Sequence, residues 1–248
     1  MKVIPVYISS ILLVVSCLIC FNSVAEDSAG SSYKEQRNQF FEQKRKSGKK
    51  DKFSAQEKQI MKQAAESLTR KLPDPGLKTG DKAPEISLSN AFGKKVSLCN
   101  ELKKGPVILV FYRGAWCPFC NLHLHVLQKN LPKFRKYNAQ LIAVTPQQPD
   151  KSAGQIKKDK FPFEVLSDSD SQVMKAYNLY YELDEALVKV YKKHGLDVEA
   201  FNGKDRNVLP VPATFVIDGE GIIRGVHAET NYKERMEPED ILKILKIL

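Results

Sequence analysis

Pro106 to Tyr112 (PVILVFY) runs directly into Arg113-Gly114-Ala115-Trp116-Cys117-Pro118-Phe119-Cys120, after which Leu124, Leu127, Leu131 and Phe134 recur at alternating spacings of four and three. A run that is apolar on both faces belongs to a strand buried inside a sheet, and the helical period after it belongs to a helix laid on that sheet. Pro132 is expected to kink or split this helix. Two further apolar runs, Ala139 to Thr145 and Phe163 to Leu166, read as neighbouring strands, with connecting helices at Gln155 to Lys160 and Ser171 to Tyr177. Glu185 to His194 reads as a helix in an insertion running on to Leu209. Ala213 to Asp218 and Ile222 to Val226 form a hairpin around Gly219-Glu220-Gly221, and Asp240 to Leu248 a closing helix. Before the first buried strand, Ile86 to Leu88 and Lys95 to Leu98 flank a turn at Phe92-Gly93. The order implies an α/β fold, a mixed central sheet flanked by helices.

The chain preceding this unit divides in two. Residues 1–25 carry one charge, Lys2, an apolar stretch to about Phe21, and small residues at Ser23 and Ala25, the pattern of a secretory signal peptide cleaved near Ala25. An uncleaved anchor helix and lipoprotein processing at Cys17 are the competing readings. Residues 26–77 form a basic helical extension, in which Ser32-x-x-Glu35 and Ser54-x-x-Glu57 mark two helix starts as capping boxes. Ile60, Ala64, Leu68 and Leu72 make one apolar stripe on the second helix, which is expected to dock on the main unit, residues 78–248. The net charge of +10 permits contact with anionic partners without demanding it, and an exported chain is not expected to meet nucleic acid. No later run is apolar and long enough to span a membrane, so stable insertion after cleavage is not expected.

The chemistry lies in the CxxC. Unpaired amides at a helix N-terminus favour thiolate, and cysteines three apart on one turn can bond to each other, so one can attack and the other resolve. Apart from the leader's two, the chain has one more cysteine, Cys99, read as half-buried and either structural or resolving. His123 and His125 lie two apart on a helix and face different ways, so zinc is not expected between them. His194 and His227 have no partner motif and are expected to face solvent. Neither a Walker phosphate loop nor a dinucleotide fingerprint occurs, so no metal or organic cofactor is expected.

WCPFC after a strand, and Val211-Pro212-Ala213-Thr214-Phe215 before the hairpin, resemble the thioredoxin fold, in which a cis-proline, here Pro212, faces the CxxC. GDKAPEISL, VILVFYRGAWCPFC, LIAVTPQ, FEVLSDSD and ATFVIDGEGIIR, in that order, resemble the alkyl hydroperoxide reductase and thiol-specific antioxidant family, the peroxiredoxins, over residues 78–248. Phe201-Asn202-Gly203 and Leu209 to Asp218 are similar to a peroxiredoxin-like branch carrying WCPxC. The resemblance puts Cys120 at the position of the peroxide-attacking cysteine. It puts Cys117 where the family has Thr or Ser, Arg113 where it has Pro, and Pro212 where it supplies an Arg, so the hydroxyl and guanidinium that would polarise a peroxide are missing there. Arg113 either substitutes for that charge or is an ordinary exposed arginine at a strand end. Trp116 and Thr214 complete the expected site.

The resemblance implies a peroxidase in which Cys120 attacks a hydroperoxide, Cys117 closes a disulfide, and an external thioredoxin-like dithiol reduces it. A thiol–disulfide oxidoreductase would reverse the order, with Cys117, read as the more exposed, attacking a protein disulfide. A non-enzymatic binding module would keep the pair as a structural disulfide.

Overall fold

The computed structural model describes residues 32–48 and 51–248, so the leader and the expected cleavage site lie outside the described residues. Two helices, α1 (Tyr33–Lys46) and α2 (Ala55–Lys71), precede a short hairpin of β1 (Ser87–Ser89) and β2 (Lys95–Ser97), which turns into α3 (Leu98–Leu102). Then come β3 (Val107–Phe111), α4 (Pro118–Arg135), β4 (Gln140–Thr145), α5 (Pro149–Asp159), β5 (Glu164–Ser167) and α6 (Gln172–Ala176). The insertion supplies β6 (Tyr180–Glu182), α7 (Glu185–Lys193), α8 (Glu199–Asn202) and β7 (Val208–Pro210), and the chain closes with β8 (Ala213–Ile217), β9 (Ile223–Ala228) and α9 (Pro238–Leu245).

The central sheet has the order β5-β4-β3-β8-β9, with β3, β4 and β5 parallel and β8 antiparallel to both β3 and β9. Its middle strand is the seven-residue apolar run, and every residue of β3 is buried. Because side chains alternate across a strand, β3 feeds two cores. Val107, Leu109 and Phe111 join Phe215, Ile217, Met174 and Tyr177 on one face. Ile108 and Val110 join Val216, the apolar stripe of α4, and Ile241 and Leu245 of α9 on the other. Leu109 is 0% exposed, so Leu109→Ala is expected to destabilise the fold by about 2–5 kcal/mol in urea unfolding. A loss below about 1 kcal/mol would contradict this packing.

The extension docks as its stripe implies. Ile60, Ala64, Leu68 and Leu72 are all half-buried, and the last two pack on the first core. At α2 the capping box is complete: Ser54 Oγ accepts from Glu57 N at 3.2 Å, and Glu57 Oε2 accepts from Ser54 N at 2.7 Å. At α1 it is half formed. Ser32 Oγ accepts from Glu35 N at 3.4 Å, but the carboxylate on the first-turn amides belongs to Glu237, far along the chain.

Several local expectations are corrected. Pro132 does not split α4, which runs as one helix through it, the ring removing a single rung near the C-terminal end. α5 begins at Pro149, because proline at the first helical position is tolerated. Cys99 is exposed rather than half-buried, since α3 turns it outward from Leu98. His194 does not face solvent: Glu57 Oε1 lies 3.2 Å from its Nε2 and the Phe53 ring 4.5 Å from its own. The same carboxylate meets Lys193 at 2.8 Å, and that ammonium, with the Ser54 amide, holds Glu57 at about 2. His227 is half-buried in β9 opposite Thr214, its Nε2 without a hydrogen-bond partner, and burial lowers its pKa.

Candidate active site

The CxxC is set by a tight turn at the end of β3. Tyr112 N still donates to Val144 O at 3.0 Å, and Cys117 N then folds back to Gly114 O at 3.1 Å. Gly114 has a φ of +144°, and a Cβ there would stand 2.6 Å from Trp116 Nε1, so glycine alone fits. Cys117 is the N-cap of α4, Pro118 follows it, and the Cys117 carbonyl accepts both Cys120 N and Asn121 N at 3.1 Å. The turn is braced by the buried amides of Gln147 and Gln155 from the β4–α5 side and by the half-buried Asn121 of α4. Gln147 Oε1 accepts from Ala115 N at 3.0 Å, Asn121 Nδ2 donates to Ala115 O at 2.6 Å, and Gln155 Nε2 donates to Asn121 Oδ1 at 2.9 Å.

Both sulfurs are free thiols, each residue 1% exposed. Cys117 is therefore not the more exposed of the two, because Trp116, Phe119 and the docked α1 cover the turn that an isolated helix start would leave open. The cysteines differ in what they face. A cavity of about 540 Å³ opens over Cys117, walled by Phe40 and Phe41 of α1, Phe53, Trp116, Tyr191 and Tyr232, and Cys120 lies outside its lining.

Behind that wall, Arg235 Nη2 donates to Cys120 Sγ at 3.3 Å. Arg235 is 6% exposed and is held by the carbonyls of Tyr232 and Glu234, the latter at 2.5 Å. Arg113 is 3% exposed, which settles it as a buried cation rather than a surface arginine. Its guanidinium sits 4.8 Å from the Trp116 ring centroid and 4.4 Å from that of Tyr232, and donates to Tyr191 OH at 3.1 Å. Neither guanidinium meets a carboxylate within 4.0 Å among the described residues. Two buried cations without carboxylates favour an anion between them.

Cys120 is the group placed to be that anion. Burial pushes its thiol up, but the hydrogen bond from the Cys117 thiol, the charge of Arg235, the Arg113 amide and the Arg113 charge outweigh burial and bring it below the ordinary range. Cys117 goes the other way, raised first by its hydrogen bond to Cys120 and then by burial. The arrangement is a thiolate at Cys120 solvated by a neighbouring S–H and a guanidinium. His123, one turn along α4, has its pKa depressed by burial and shares its Nε2 with Met236 O at 3.3 Å.

Of the expected site residues, the fold brings Cys117, Cys120, Arg113 and Trp116 together. Thr214 pairs with Val110 on β3 and is 1% exposed, its Oγ1 without a hydrogen-bond partner. Pro212 is corrected: the Val211–Pro212 bond is trans. Val211 N donates to Leu179 O at 2.7 Å and its side chain packs in the first core, so the chain enters β8 already extended. Arg235 was not legible beforehand. It lies in Thr230 to Asp240, a polar stretch with no period or motif, and meets Cys120 across 115 residues of chain.

The family model described as AhpC/TSA matches residues 79–226. The chain belongs to that family. Its members similar to this chain are peroxiredoxins, so it is an enzyme of the thiol peroxidase type. Peroxiredoxin Bcp of Escherichia coli is 26% identical over 170 residues, which cover 68% of this chain and 96% of that protein. The chloroplastic peroxiredoxin Q of Populus jackii is 25% identical over 173 residues, covering 68% of each. The crystal structure of peroxidoxin BcpB from Mycobacterium tuberculosis superposes with a TM-score of 0.54 at 20% identity, covering 69% of this chain and 98% of that one. The AhpC/TSA match begins after α1 and α2 and stops before Arg235, so part of this site is built from residues beyond it.

Proposed function

We propose that this AhpC/TSA member reduces hydroperoxides with Cys120 as the attacking thiolate and Cys117 as the resolving thiol. The observation that carries the reading is the Arg235 guanidinium on Cys120 Sγ, at 3.3 Å and buried with it. In the first step the Cys120 sulfur attacks the terminal peroxide oxygen. An S–O bond forms and the O–O bond breaks, the sulfur is oxidised to sulfenic acid, and the leaving alkoxide takes a proton to become an alcohol. Arg235 and the Arg113 amide face the negative charge that starts on sulfur and moves to oxygen. Cys117 then attacks the sulfenic sulfur, releasing water and closing the disulfide, and an external thioredoxin-like dithiol takes over the oxidation by exchange. The leader makes this an exported activity, periplasmic after cleavage near Ala25, with attachment through a lipidated Cys17 as the other outcome.

The cavity over Cys117 favours a second reading, attack by Cys117 on a protein disulfide with Cys120 releasing the product. One equivalent of hydrogen peroxide followed by mass spectrometry separates them. The peroxidase reading expects a Cys117–Cys120 disulfide formed within the first turnover and an unmodified Cys99. Oxidation appearing first at Cys99, or no consumption of peroxide, would overturn it.

A further inference from the structure

Arg235 reaches Cys120 from the loop between β9 and α9, and what holds that loop in place comes from α1. Glu237 is the N-cap residue of α9, yet its side chain makes no cap on its own helix. Its carboxylate is bound instead by the start of α1, accepting from Tyr33 N and Lys34 N at 2.8 Å each and from Ser32 Oγ at 3.1 Å. A carboxylate on first-turn amides is a charge-assisted contact, favoured also by the helix dipole. On the other side of Arg235, the Lys233 carbonyl accepts from Tyr33 OH at 2.7 Å and from Arg37 Nη1 at 3.2 Å, while Arg37 also pairs with Glu234. Residues on both flanks of Arg235 are thus tied to one helix.

That helix is also seated on the element that carries the thiolate. Tyr33 is 1% exposed and its ring meets His123 of α4 edge-on at 5.4 Å, and Phe40 meets Phe119 of the CxxC at 5.6 Å. α1 therefore spans the two elements whose separation sets the contact between Arg235 and Cys120. Both α1 and residues 233–237 lie outside the segment matched by the family, so this brace is built from parts that come together in this chain.

We propose that α1 is a positioning element of the reaction centre, holding Arg235 against Cys120 through the bonds of Glu237, Tyr33 and Arg37 to residues 233–237. The inference rests on the reading that Arg235 acts on the Cys120 sulfur. It is tested in the full chain by following alkylation of Cys120 with iodoacetamide against pH, by mass spectrometry. Cys117, Arg113, Arg235, Tyr112, Tyr33, Tyr181 and Tyr232 bear on that sulfur, His123 and His227 on Arg235, and Arg37, Lys233, Glu234 and Glu237 lie in the brace. Arg235→Met sets the upper limit of the midpoint. Glu237→Ala is expected to raise the midpoint toward it by about one pH unit, an approximately tenfold lower rate at a fixed pH on the rising limb. The sign is informative, because deleting a carboxylate near a thiol would by charge alone lower the midpoint. Combined with Arg235→Met, Glu237→Ala should add nothing further.

A lowered Tm with an unmoved midpoint would overturn the inference and leave α1 a stability element, as would a further shift on the Arg235→Met background. No shift in Arg235→Met itself would overturn the peroxidase assignment of Arg235, a distinguishable failure. If Glu237→Ala does not fold, Tyr33→Phe with Arg37→Met cuts the Lys233 side of the brace and is held to the same expectations.

Discussion

Arg235→Met is expected to slow the reaction of Cys120 with hydrogen peroxide by about 10²–10³-fold, the loss that follows removal of a donor aimed at developing oxyanion charge. Methionine keeps much of the buried stem, so the change removes the charge and the donor while leaving apolar packing. Two effects act in the same direction. With the Cys117 hydrogen bond, the guanidinium helps hold Cys120 below the ordinary thiol range, so without it less of the sulfur is thiolate at neutral pH. The residual thiolate then attacks a peroxide whose leaving oxygen has lost the guanidinium donor nearest the sulfur, with the Arg113 charge remaining. The two separate by pH: raising it restores the thiolate fraction but not the lost stabilisation, so the plateau rate at alkaline pH should remain below that of the unaltered enzyme. Stopped-flow measurement across pH 5–10 would show it. A variant within about threefold of the unaltered enzyme at every pH would remove Arg235 from the mechanism.

The folded pKa of Cys120 also leaves a mark on stability. A thiol whose pKa is lower folded than unfolded stabilises the fold above its unfolded value, roughly 8.5, and that contribution fades as pH falls through the folded value. Arg235→Met should flatten this dependence.

What could be read in the chain beforehand divides by the range of the interactions. The β3–α4 junction was legible because strand burial, the helical period and the CxxC are all local, and a buried middle strand leaves few places for Cys117 and Cys120 except the helix start. The mixed sheet followed from the same local runs. Arg113 stayed open between a catalytic and a surface role, because its burial is decided by Trp116, Tyr191 and Tyr232 converging from three segments. Pro212 stands where the resemblance places a guanidinium. The charge is instead delivered from a loop, Arg235, whose position depends on Glu237 meeting the first turn of α1 some 200 residues earlier. Nothing local to TNYKERMEPED marks that arginine, and nothing local to Ser32 marks the distant carboxylate that meets its helix start.

The two cysteine variants separate the roles within the pair. Cys120→Ser is expected to lower peroxide turnover by about 10⁴-fold or more, since it removes the nucleophile and leaves Cys117 with a raised pKa. Cys117→Ser should behave differently in one turnover and alike in many. Its hydroxyl suits the N-cap of α4 and can still donate to the Cys120 sulfur, so the first equivalent of peroxide is consumed and sulfenic acid accumulates at Cys120. Without a resolving thiol the cycle then stops, or slows to the rate at which an external thiol reaches a sulfur that is 1% exposed and outside the cavity lining. The oxidoreductase reading demands the reverse, because Cys120→Ser would retain the attacking Cys117 at the cavity wall and trap mixed disulfides there. Dimedone labelling of Cys120 in Cys117→Ser decides between them: unlabelled Cys120, together with mixed disulfides at Cys117 in Cys120→Ser, would make Cys117 the nucleophile and reduce Arg235 to a buried counter-charge for the leaving thiolate.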